Sequence, residues 1–433
     1  MHKNTDITID SITKIEGNAR LEVKIRDGKV ERLEFIIGDY RRFYTDAVKG
    51  KNYAGVPAYL SRICGTCSLA HEFASIESIE KALGIYDKVS EQTLILRKLA
   101  IYGMTIRDHA LHLYMFSLPD VLGIDSVLDI EESVSANHQL LHDAFDLKAV
   151  GNKLSTWVAG AAVHAPLPTI GGFLKLPSMN AAPELVSELE SSREKMLRGI
   201  KVFYEWEARL ERNTDYMALT NKDYNFVEGE ITVSSGESYA EEEFETLLKE
   251  VVIPYSQSEG YVLKGGHEDY LVGALARVNM NKEKLHPRTQ EEVKEYLLVF
   301  PSNNIFHNCL AQAIENLHCI DRAIEILQTL KIKQESPVKA DVKAGIGVGV
   351  IEAPRGILYH KVELNDKGMV VDADVIVPTS QNQINIENDL KKIFQDNVEK
   401  LSEEELKYEA EKIIRAYDPC MSCATNFLEV IWL

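Results

Sequence analysis

Two short stretches decide how this chain folds: residues 62–71, which read RICGTCSLAH, and residues 418–423, which read DPCMSC. Each stretch carries a Cys-x-x-Cys pair, a spacing that lets both sulfurs reach one metal ion. The entropy cost of closing a loop grows only with the logarithm of its length, so the two pairs can meet in the fold. The spacing therefore predicts a four-sulfur site drawn from both ends of the chain.

The four cysteines alone leave the nature of the site open. Structural zinc is the commonest use of two such pairs, although zinc ribbons usually place them about 15–20 residues apart. A redox disulfide, or cysteines that are unrelated in the core, are further alternatives. Cys309 and Cys319, the other two of the six cysteines, are interpreted as buried apolar residues.

Composition excludes several classes of protein. The 433 residues contain 48 basic and 67 acidic side chains, a net charge of −19, and no basic block typical of a nucleic-acid binder. No apolar run approaches the roughly 18–20 residues that span a bilayer. The N-terminus lacks the apolar segment of a secretory signal, so we expect a cytoplasmic protein, or one exported only on a partner.

Hydrophobic periodicity predicts an α+β, mostly helical fold, with a large helical core and a second strand region in the last third. We expect one domain, 1–433, whose segments are N-terminal strands with a hairpin (5–40), a helical core (55–213), a peripheral insertion (222–275), a helical part (289–330), and strands, a last helix and the second cysteine motif (341–433).

The residues around the cysteines resemble the large subunit of [NiFe] hydrogenases. The first stretch is similar to that family's R-x-C-G-x-C-x-x-x-H motif, and the second to its D-P-C-x-x-C motif. Residues 13–18 (TKIEGN), 352–356 (EAPRG) and 378–380 (PTS) are also similar to family signatures. These motifs follow one another in the family's order along nearly the whole chain.

The resemblance implies a [NiFe] hydrogenase large-subunit fold and the reversible heterolytic cleavage of H2. It implies a nickel ion and an iron that carries CO and two cyanides. By resemblance, Cys67 and Cys423 bridge the two metals, while Cys64 and Cys420 are terminal ligands of nickel. Thiolates are the soft ligands that such chemistry requires.

Other site residues follow from the same resemblance. Glu16 is the expected proton relay, because a carboxyl beside a thiolate and away from water suits that task. Arg355 is expected over the metals, surrounded by carboxylates that we assign to Asp418 and Asp120. Taken alone, Glu16 reads as a strand-edge residue, Asp120 as a helix N-cap and Asp418 as part of an Asp-Pro turn.

The segment Pro378-Thr379-Ser380 is expected to offer its backbone N–H groups and hydroxyls, those of Thr379 and Ser380, as hydrogen-bond donors to the cyanides. His71 is expected to hydrogen-bond a bridging sulfur, although a lone histidine in this position is more often an ordinary core residue. His109 and His112 are interpreted as structural or proton-network residues.

Two positions depart from the family pattern. Asn426 and Thr45 stand where relatives carry the His and Glu that hold a magnesium-like ion. Mg²⁺ favours carboxylate oxygens, so we expect the ion to be absent or bound differently, with Asp46 as a possible substitute. The apolar segment 427–433 is predicted to be a buried, permanent C-terminus, not a removed propeptide.

The chain needs a partner to carry electrons, because Cys309 and Cys319 cannot hold an iron–sulfur cluster of the usual four-cysteine kind. By resemblance, the partner is a small subunit with iron–sulfur clusters, joined to flavin/NAD(P) or ferredoxin modules. Two alternatives are a non-catalytic zinc protein and a subunit related to the core of respiratory complex I. The complex I lineage has lost the cysteines, and all four are present here.

Overall fold

The computed structural model describes residues 3–38, 43–131, 133–265 and 269–425, and helices dominate these parts of the chain. The helices are α1 (Tyr44–Val48), α2 (Val56–Leu60), α3 (Ser68–Leu83), α4 (Glu91–Ala110), α5 (Leu118–Leu122), α6 (Ser135–Ala159), α7 (Ala182–Tyr204), α8 (Phe244–Leu247), α9 (Ala274–Asn281), α10 (Pro287–Glu292), α11 (His307–Thr329), α12 (Pro378–Asn397), α13 (Glu403–Ala416) and α14 (Met421–Ala424). None of them has the length and apolarity needed to cross a bilayer.

The strands form small, separate sheets. They are β1 (Thr5–Ile9), β2 (Ala19–Arg26), β3 (Lys29–Ile37), β4 (Pro168–Thr169), β5 (Gly172–Phe173), β6 (Asp215–Thr220), β7 (Glu230–Val233), β8 (Ser238–Tyr239), β9 (Leu248–Val251), β10 (Gly260–Leu263), β11 (Tyr270–Leu271), β12 (Gly345–Ala353), β13 (Gly356–Leu364) and β14 (Val370–Ile376). Three antiparallel strands make the first sheet, β1-β2-β3, and three more make the sheet β12-β13-β14. A four-stranded sheet has the order β11-β6-β7-β8, in which β11 pairs parallel to β6.

The N-terminal hairpin confirms the sequence prediction. In β2, Leu21, Val23 and Ile25 are buried and alternate with less buried neighbours, as a strand with one face on the core requires. Asp27 and Gly28 both have positive φ at the turn that leads into β3. The strand pairing is antiparallel over the whole length of β2.

Apolar residues recur at three- and four-residue intervals over 91–116, and Glu, Leu, Arg and Lys are frequent over 181–213, so each stretch predicts one continuous helix. The pattern over 91–116 indicated one helix, but α4 ends at Ala110 and continues as a π-helix over Leu111–Ser117. The pattern over 181–213 indicated a helix longer than α7, which ends at Tyr204. In both cases tertiary packing, not local propensity, decides where the regular i→i−4 hydrogen bonding stops.

Helix α3, which begins directly after the first cysteine pair, lies flat on β12. The strand carries glycine at Gly345, Gly347 and Gly349, and a Cβ atom there would lie 1.9–2.2 Å from helix carbonyl oxygens of Ala82, Ser78 and Ala74. Only glycine allows backbone to approach this closely. The stripe of glycines therefore fixes the helix, and with it the cysteine pair, against the sheet.

The region predicted as a peripheral insertion shares a core with that sheet. Side chains from β6, β7 and β10 pack with Val350, Ile357 and Tyr359 of the β12–β13 hairpin in a second hydrophobic cluster. The salt bridge of Lys81 with Glu77 and Glu241 also joins α3 to this region. These contacts hold the outer face of the β12–β13 hairpin, whose tip carries Arg355.

Candidate metal centre

The two cysteine pairs meet in the fold, as the spacing predicted. Cys64 and Cys67 lie in the turn before α3, whereas Cys420 and Cys423 follow α13. The Sγ atoms of Cys64 and Cys420 are 3.4 Å apart, and those of Cys67 and Cys423 are 3.3 Å apart. All four sulfurs lie within 4.8 Å of one another, are buried, and form no disulfide.

The sulfurs of the cluster differ in their electrostatics, because hydrogen bonds with Cys420, Cys423 and Cys67 hold the pKa of the Cys64 thiol well below its usual value. Burial raises the pKa of the Cys420 thiol well above its usual value, and the three neighbouring cysteine sulfurs raise it further. Several thiolates this close repel one another unless a positive charge lies between them. A thiophilic metal ion supplies that charge, and four soft sulfur ligands suit nickel or zinc.

Glu16 lies directly against the cluster. Its backbone forms a parallel bridge with Cys420 and accepts a hydrogen bond from the Met421 N–H, at 3.0 Å. The Cys420 Sγ atom is 3.1 Å from Glu16 Oε2. The Ser422 N–H donates to the same oxygen at 3.0 Å, and the Ser422 hydroxyl donates to Oε1. The carboxyl is half-buried, so it connects a buried sulfur to the protein surface.

A cavity opens beside the sulfurs. It is lined by Cys67, His71, Ala353, Arg355, Leu358, Pro378, Thr379, Cys420 and Cys423. Pro378 and Thr379 begin α12, and the Thr379 hydroxyl accepts a hydrogen bond from the Cys420 N–H at 2.9 Å, which leaves its own hydrogen free to donate. The Ser380 hydroxyl pairs instead with the Ser258 hydroxyl at 3.0 Å, so only its main-chain N–H faces the start of the helix.

Arg355 is the one charged side chain that lines this cavity among the described residues. Its Nη1 donates to Asp108 at 2.8 Å and its Nη2 donates to Asp418 at 2.8 Å. Burial alone would lower its pKa, but the two carboxylates hold the pKa well above the usual value, so the guanidinium stays charged. Its Nε is buried and has no hydrogen-bond partner in the described chain. An acceptor in the cavity would satisfy it.

The prediction that Asp120 contacts Arg355 was wrong. Asp120 accepts two hydrogen bonds from Arg415, at 2.6 and 2.9 Å, and a third from Lys14 at 3.0 Å. Asp108, which the sequence analysis missed, takes its place beside Arg355. Asp108 directly precedes His109 in α4. The run of ionisable residues Arg107-Asp108-His109 in a predicted helix is the sequence signal that could have identified it.

The histidines divide between the sulfur cluster and the core. His71 Nε2 lies 3.6 Å from Cys423 Sγ, and its Nδ1 lies 3.0 Å from Nε2 of His360 on β13. His360 was also missed, although it follows the EAPRG motif by four positions. His112 contacts Gln312, which donates to Asp418 at 3.0 Å. His109 contacts Glu315 at 2.9 Å.

The remaining sequence-based predictions concern the end of the chain and the hard-ion site. Thr45 and Asp46 belong to α1. Asn426 and the segment 427–433 lie outside the described residues. The loss of the magnesium-like site and the burial of the tail therefore stay predictions.

The residues around the cavity fit a nickel–iron group with small ligands. Four soft sulfur donors lie together, the arginine that lines the cavity has a buried Nε–H without a partner among the described residues, and two of the lining residues begin α12. Structural zinc would need the sulfurs but neither the adjoining cavity nor a buried charged arginine.

Comparison with known proteins agrees with this geometry. The profile of the nickel-dependent hydrogenase family matches residues 43–186 and 264–426. Sulfhydrogenase 2 subunit alpha of Pyrococcus furiosus is 31% identical over 430 residues, covering 98% of this chain and 100% of the relative. NAD-reducing hydrogenase HoxS subunit beta of Cupriavidus necator is 26% identical over 464 residues, covering 98% and 95%.

Solved structures share the fold. An NAD+-reducing [NiFe]-hydrogenase in the H2-reduced state superimposes with a TM-score of 0.83 at 24% identity, covering 98% of this chain and 99% of that one. The Ni-Fe-Se hydrogenase from D. vulgaris Hildenborough gives a TM-score of 0.80 at 19% identity, covering 98% and 100%. The chain therefore belongs to the nickel-dependent hydrogenase family, as a large subunit, and is an oxidoreductase that acts on H2.

Proposed function

We propose that this chain cleaves H2 heterolytically and reversibly at a nickel–iron centre held by Cys64, Cys67, Cys420 and Cys423. The observation that carries the proposal is the buried cluster of four sulfurs beside a cavity that contains an unpaired arginine N–H. A bound nickel–iron group would supply the soft electrophile that polarises H2. By the family resemblance, Cys67 and Cys423 would be shared between the two metals, and Cys64 and Cys420 would bind nickel alone; Cys67, Cys420 and Cys423 all line the cavity.

The proton is proposed to leave through Cys420 and Glu16. The sulfur and the carboxylate oxygen are 3.1 Å apart, within the range of direct proton transfer. Ser422 holds the carboxyl by its N–H and its hydroxyl, which keeps one oxygen aimed at the sulfur. Because Glu16 is half-buried, the proton can pass from it to water.

Arg355, Pro378 and Thr379 are proposed to hold the small ligands of the iron, CO and two cyanides. Arg355 offers its Nε–H from the cavity wall, and Thr379 offers its hydroxyl hydrogen. Asp108 and Asp418 keep the guanidinium in one orientation. Ser380 is proposed to contribute only its main-chain N–H, at the positive end of α12. His71 is proposed to hydrogen-bond the bridging sulfur of Cys423.

The electrons are proposed to leave through a small subunit with iron–sulfur clusters. Cys309 and Cys319, the other described cysteines, are buried on α11, and Cys309 contacts Ser117. They offer no four-cysteine cluster site. We propose that the electrons pass on to NAD(P) or ferredoxin through further flavin/NAD(P) or ferredoxin modules of a cytoplasmic complex; the name of one relative, NAD-reducing hydrogenase HoxS subunit beta, supports NAD.

Metal analysis of the purified complex tests the proposal. We expect nickel and iron in stoichiometric amounts and H2-dependent dye reduction. Serine in place of any of the four cysteines should remove both nickel and activity, because a hydroxyl is a poor ligand for a soft metal. Cys309→Ser, at a buried cysteine away from the cluster, is the control and should retain both. Zinc without nickel in the purified full-length protein would favour the structural-zinc alternative instead.

A further inference from the structure

One buried arginine holds the segment that leads into Arg355. Arg277 on α9 donates from Nη1 to the carbonyl oxygen of Ala353 at 3.0 Å, and from Nη2 to that of Pro354 at 2.9 Å. The Pro354 carbonyl belongs to the peptide whose nitrogen is that of Arg355. The main chain from which the cavity arginine extends is therefore fixed by a second arginine behind it.

Two carboxylates hold Arg277 itself. Glu315 on α11 accepts from Nε at 2.6 Å and from Nη2 at 2.8 Å. Glu352 accepts from Nη1 at 2.8 Å and also accepts the Leu219 N–H at 2.8 Å. All five N–H donors of Arg277 are thus used. A lysine has one nitrogen and no planar fork, so it cannot reproduce this pattern.

The carboxylate of Glu315 also contacts the helix that carries a partner of Arg355. Glu315 Oε2 lies 2.9 Å from His109 Nε2. His109 follows Asp108, and Asp108 pairs with Arg355 at 2.8 Å. Through Arg277, Glu315 is connected to the main chain before Arg355, and through His109 it is connected to α4, which carries Asp108. Both partners of the ion pair between Arg355 and Asp108 therefore lie next to residues that Glu315 holds.

Ionisation of this carboxylate persists at any working pH. Burial by itself raises the pKa of Glu315, but Arg277 and His109 together lower it to about 2.

A backbone contact between α9 and Arg355 is a second constraint on the position of Arg355. Gly273, directly before α9, has φ of 122°, and a Cβ atom there would lie 3.0 Å from the Arg355 carbonyl oxygen. The start of α9 thus packs against the Arg355 backbone itself.

We infer that Arg277, held by Glu315 and Glu352, is a positioning residue that sets the location of the Arg355 guanidinium in the metal cavity. This inference rests on the proposed function. Misplacement of a group at a reaction centre by about 1 Å can cost about 10²-fold in rate. A loss of this size is expected from Arg277→Lys.

The test uses the complete enzyme complex and a matched control. Arg193 on α7 is also buried and pairs with Asp321 on α11, at 2.7 Å, but neither residue contacts the segment 352–356 in the described structure. Arg193→Lys therefore perturbs a second buried ion pair between an arginine and a carboxylate of α11, the helix that also carries Glu315. Nickel content, melting temperature, H2/D⁺ exchange per nickel and amide hydrogen exchange of residues 352–358 are measured for both variants.

Arg277→Lys is expected to keep its nickel, to lower kcat per nickel by about 10²-fold with little change in KM for H2, and to speed amide exchange over 352–358. The infrared bands of the diatomic iron ligands should shift. Arg193→Lys should lower the melting temperature only. Equal rates per nickel in both variants, with unshifted bands, would overturn the inference.

Glu352→Gln provides a second variant if Arg277→Lys does not fold. It keeps the size of the side chain and the Leu219 contact but removes one charge from Arg277. A smaller rate loss in the same direction is expected. Failure of both variants to fold would assign Arg277 a structural role alone and reject the inference. Wild-type enzyme without nickel or exchange activity would instead refute the proposed function.

Discussion

Arg355 belongs to the short segment 352–356, and Arg277 binds the main chain of that segment. Both arginines are buried between two carboxylates. They differ in how many of their N–H donors the protein satisfies. Arg277 uses all five, with carboxylate and carbonyl acceptors. Arg355 uses one donor on each terminal nitrogen, and its Nε has no acceptor among the described residues.

This difference separates a structural charge from a working one. An unsatisfied buried donor costs about 1–3 kcal/mol, which folding alone gives no reason to retain. The orphan N–H belongs to the arginine that lines the cavity, whereas the saturated arginine lies one layer behind it. Arg97, buried against Glu80, also leaves its Nε unpaired among the described residues, so an unused donor marks the site only where it belongs to a residue that lines the cavity.

The largest effect should come from Arg355→Lys. Lysine keeps the charge but lacks the fork that binds Asp108 and Asp418 together. We expect H2/D⁺ exchange per nickel to fall by about 10²–10³-fold, as for the loss of an electrostatic donor at a reacting centre. The comparison between the two arginines predicts that this loss is at least as large as that of Arg277→Lys. A larger loss of exchange per nickel in Arg277→Lys than in Arg355→Lys would contradict this prediction.

Glu16→Gln extends the comparison to the proton path. The amide keeps the size of the side chain and one acceptor oxygen for Ser422, but it cannot relay a proton. Exchange should slow by about 10²-fold while nickel content stays unchanged. Glu22→Gln, at a solvent-exposed position on β2, is the control and should leave exchange intact. Unchanged exchange in Glu16→Gln would redirect the search to His71 or another route.

Asp120→Asn tests the corrected pairing. Asp120 and Arg415 are buried together, and breaking one partner of a buried pair typically costs about 3–5 kcal/mol. We expect a lower free energy of unfolding but an unchanged rate per nickel. Asp108→Asn, which removes a partner of Arg355 instead, should lower the rate per nickel. If Asp120→Asn reduced that rate as strongly, the original assignment of Asp120 to the site would regain support.

Glu72 offers the smallest and most specific test, because it is a buried carboxyl with neither a counter-ion among the described residues nor a place in the proposed site. Burial raises its pKa to about 8, and its Oε2 has no partner in the described structure. The folded chain therefore keeps a proton that the unfolded chain loses above about pH 4.5. Stability is highest below that pH and declines until the pH reaches about 8.

The corresponding variant is Glu72→Gln, which cannot ionise. Between pH 5 and pH 7 the wild-type protein should lose about 2–3 kcal/mol of stability relative to this variant. Chemical denaturation of both proteins across that range measures the difference. Parallel stability curves would show that Glu72 is paired or solvated in solution.

Sequence patterns predicted the local elements and the chemistry of the site. The alternation in β2 predicted a strand, and the two Cys-x-x-Cys pairs predicted a four-sulfur site, whose sulfurs lie within 4.8 Å of one another. The EAPRG motif indicated a close backbone approach and an important arginine. These features depend on neighbouring residues, so they can be read from a single stretch of chain.

Only the tertiary structure decided which distant groups meet. Asp108, and not Asp120, reaches Arg355 across 247 positions of sequence, whereas Asp120, which follows the π-helix over Leu111–Ser117, binds Arg415. The pairing of Glu315 with Arg277 and His109 likewise joins separate helices. The sequence by itself determined which residue types were available. The packing of helices determined their partners, since the apolar periodicity of a helix sets which face turns to the core but not which distant helix it meets there.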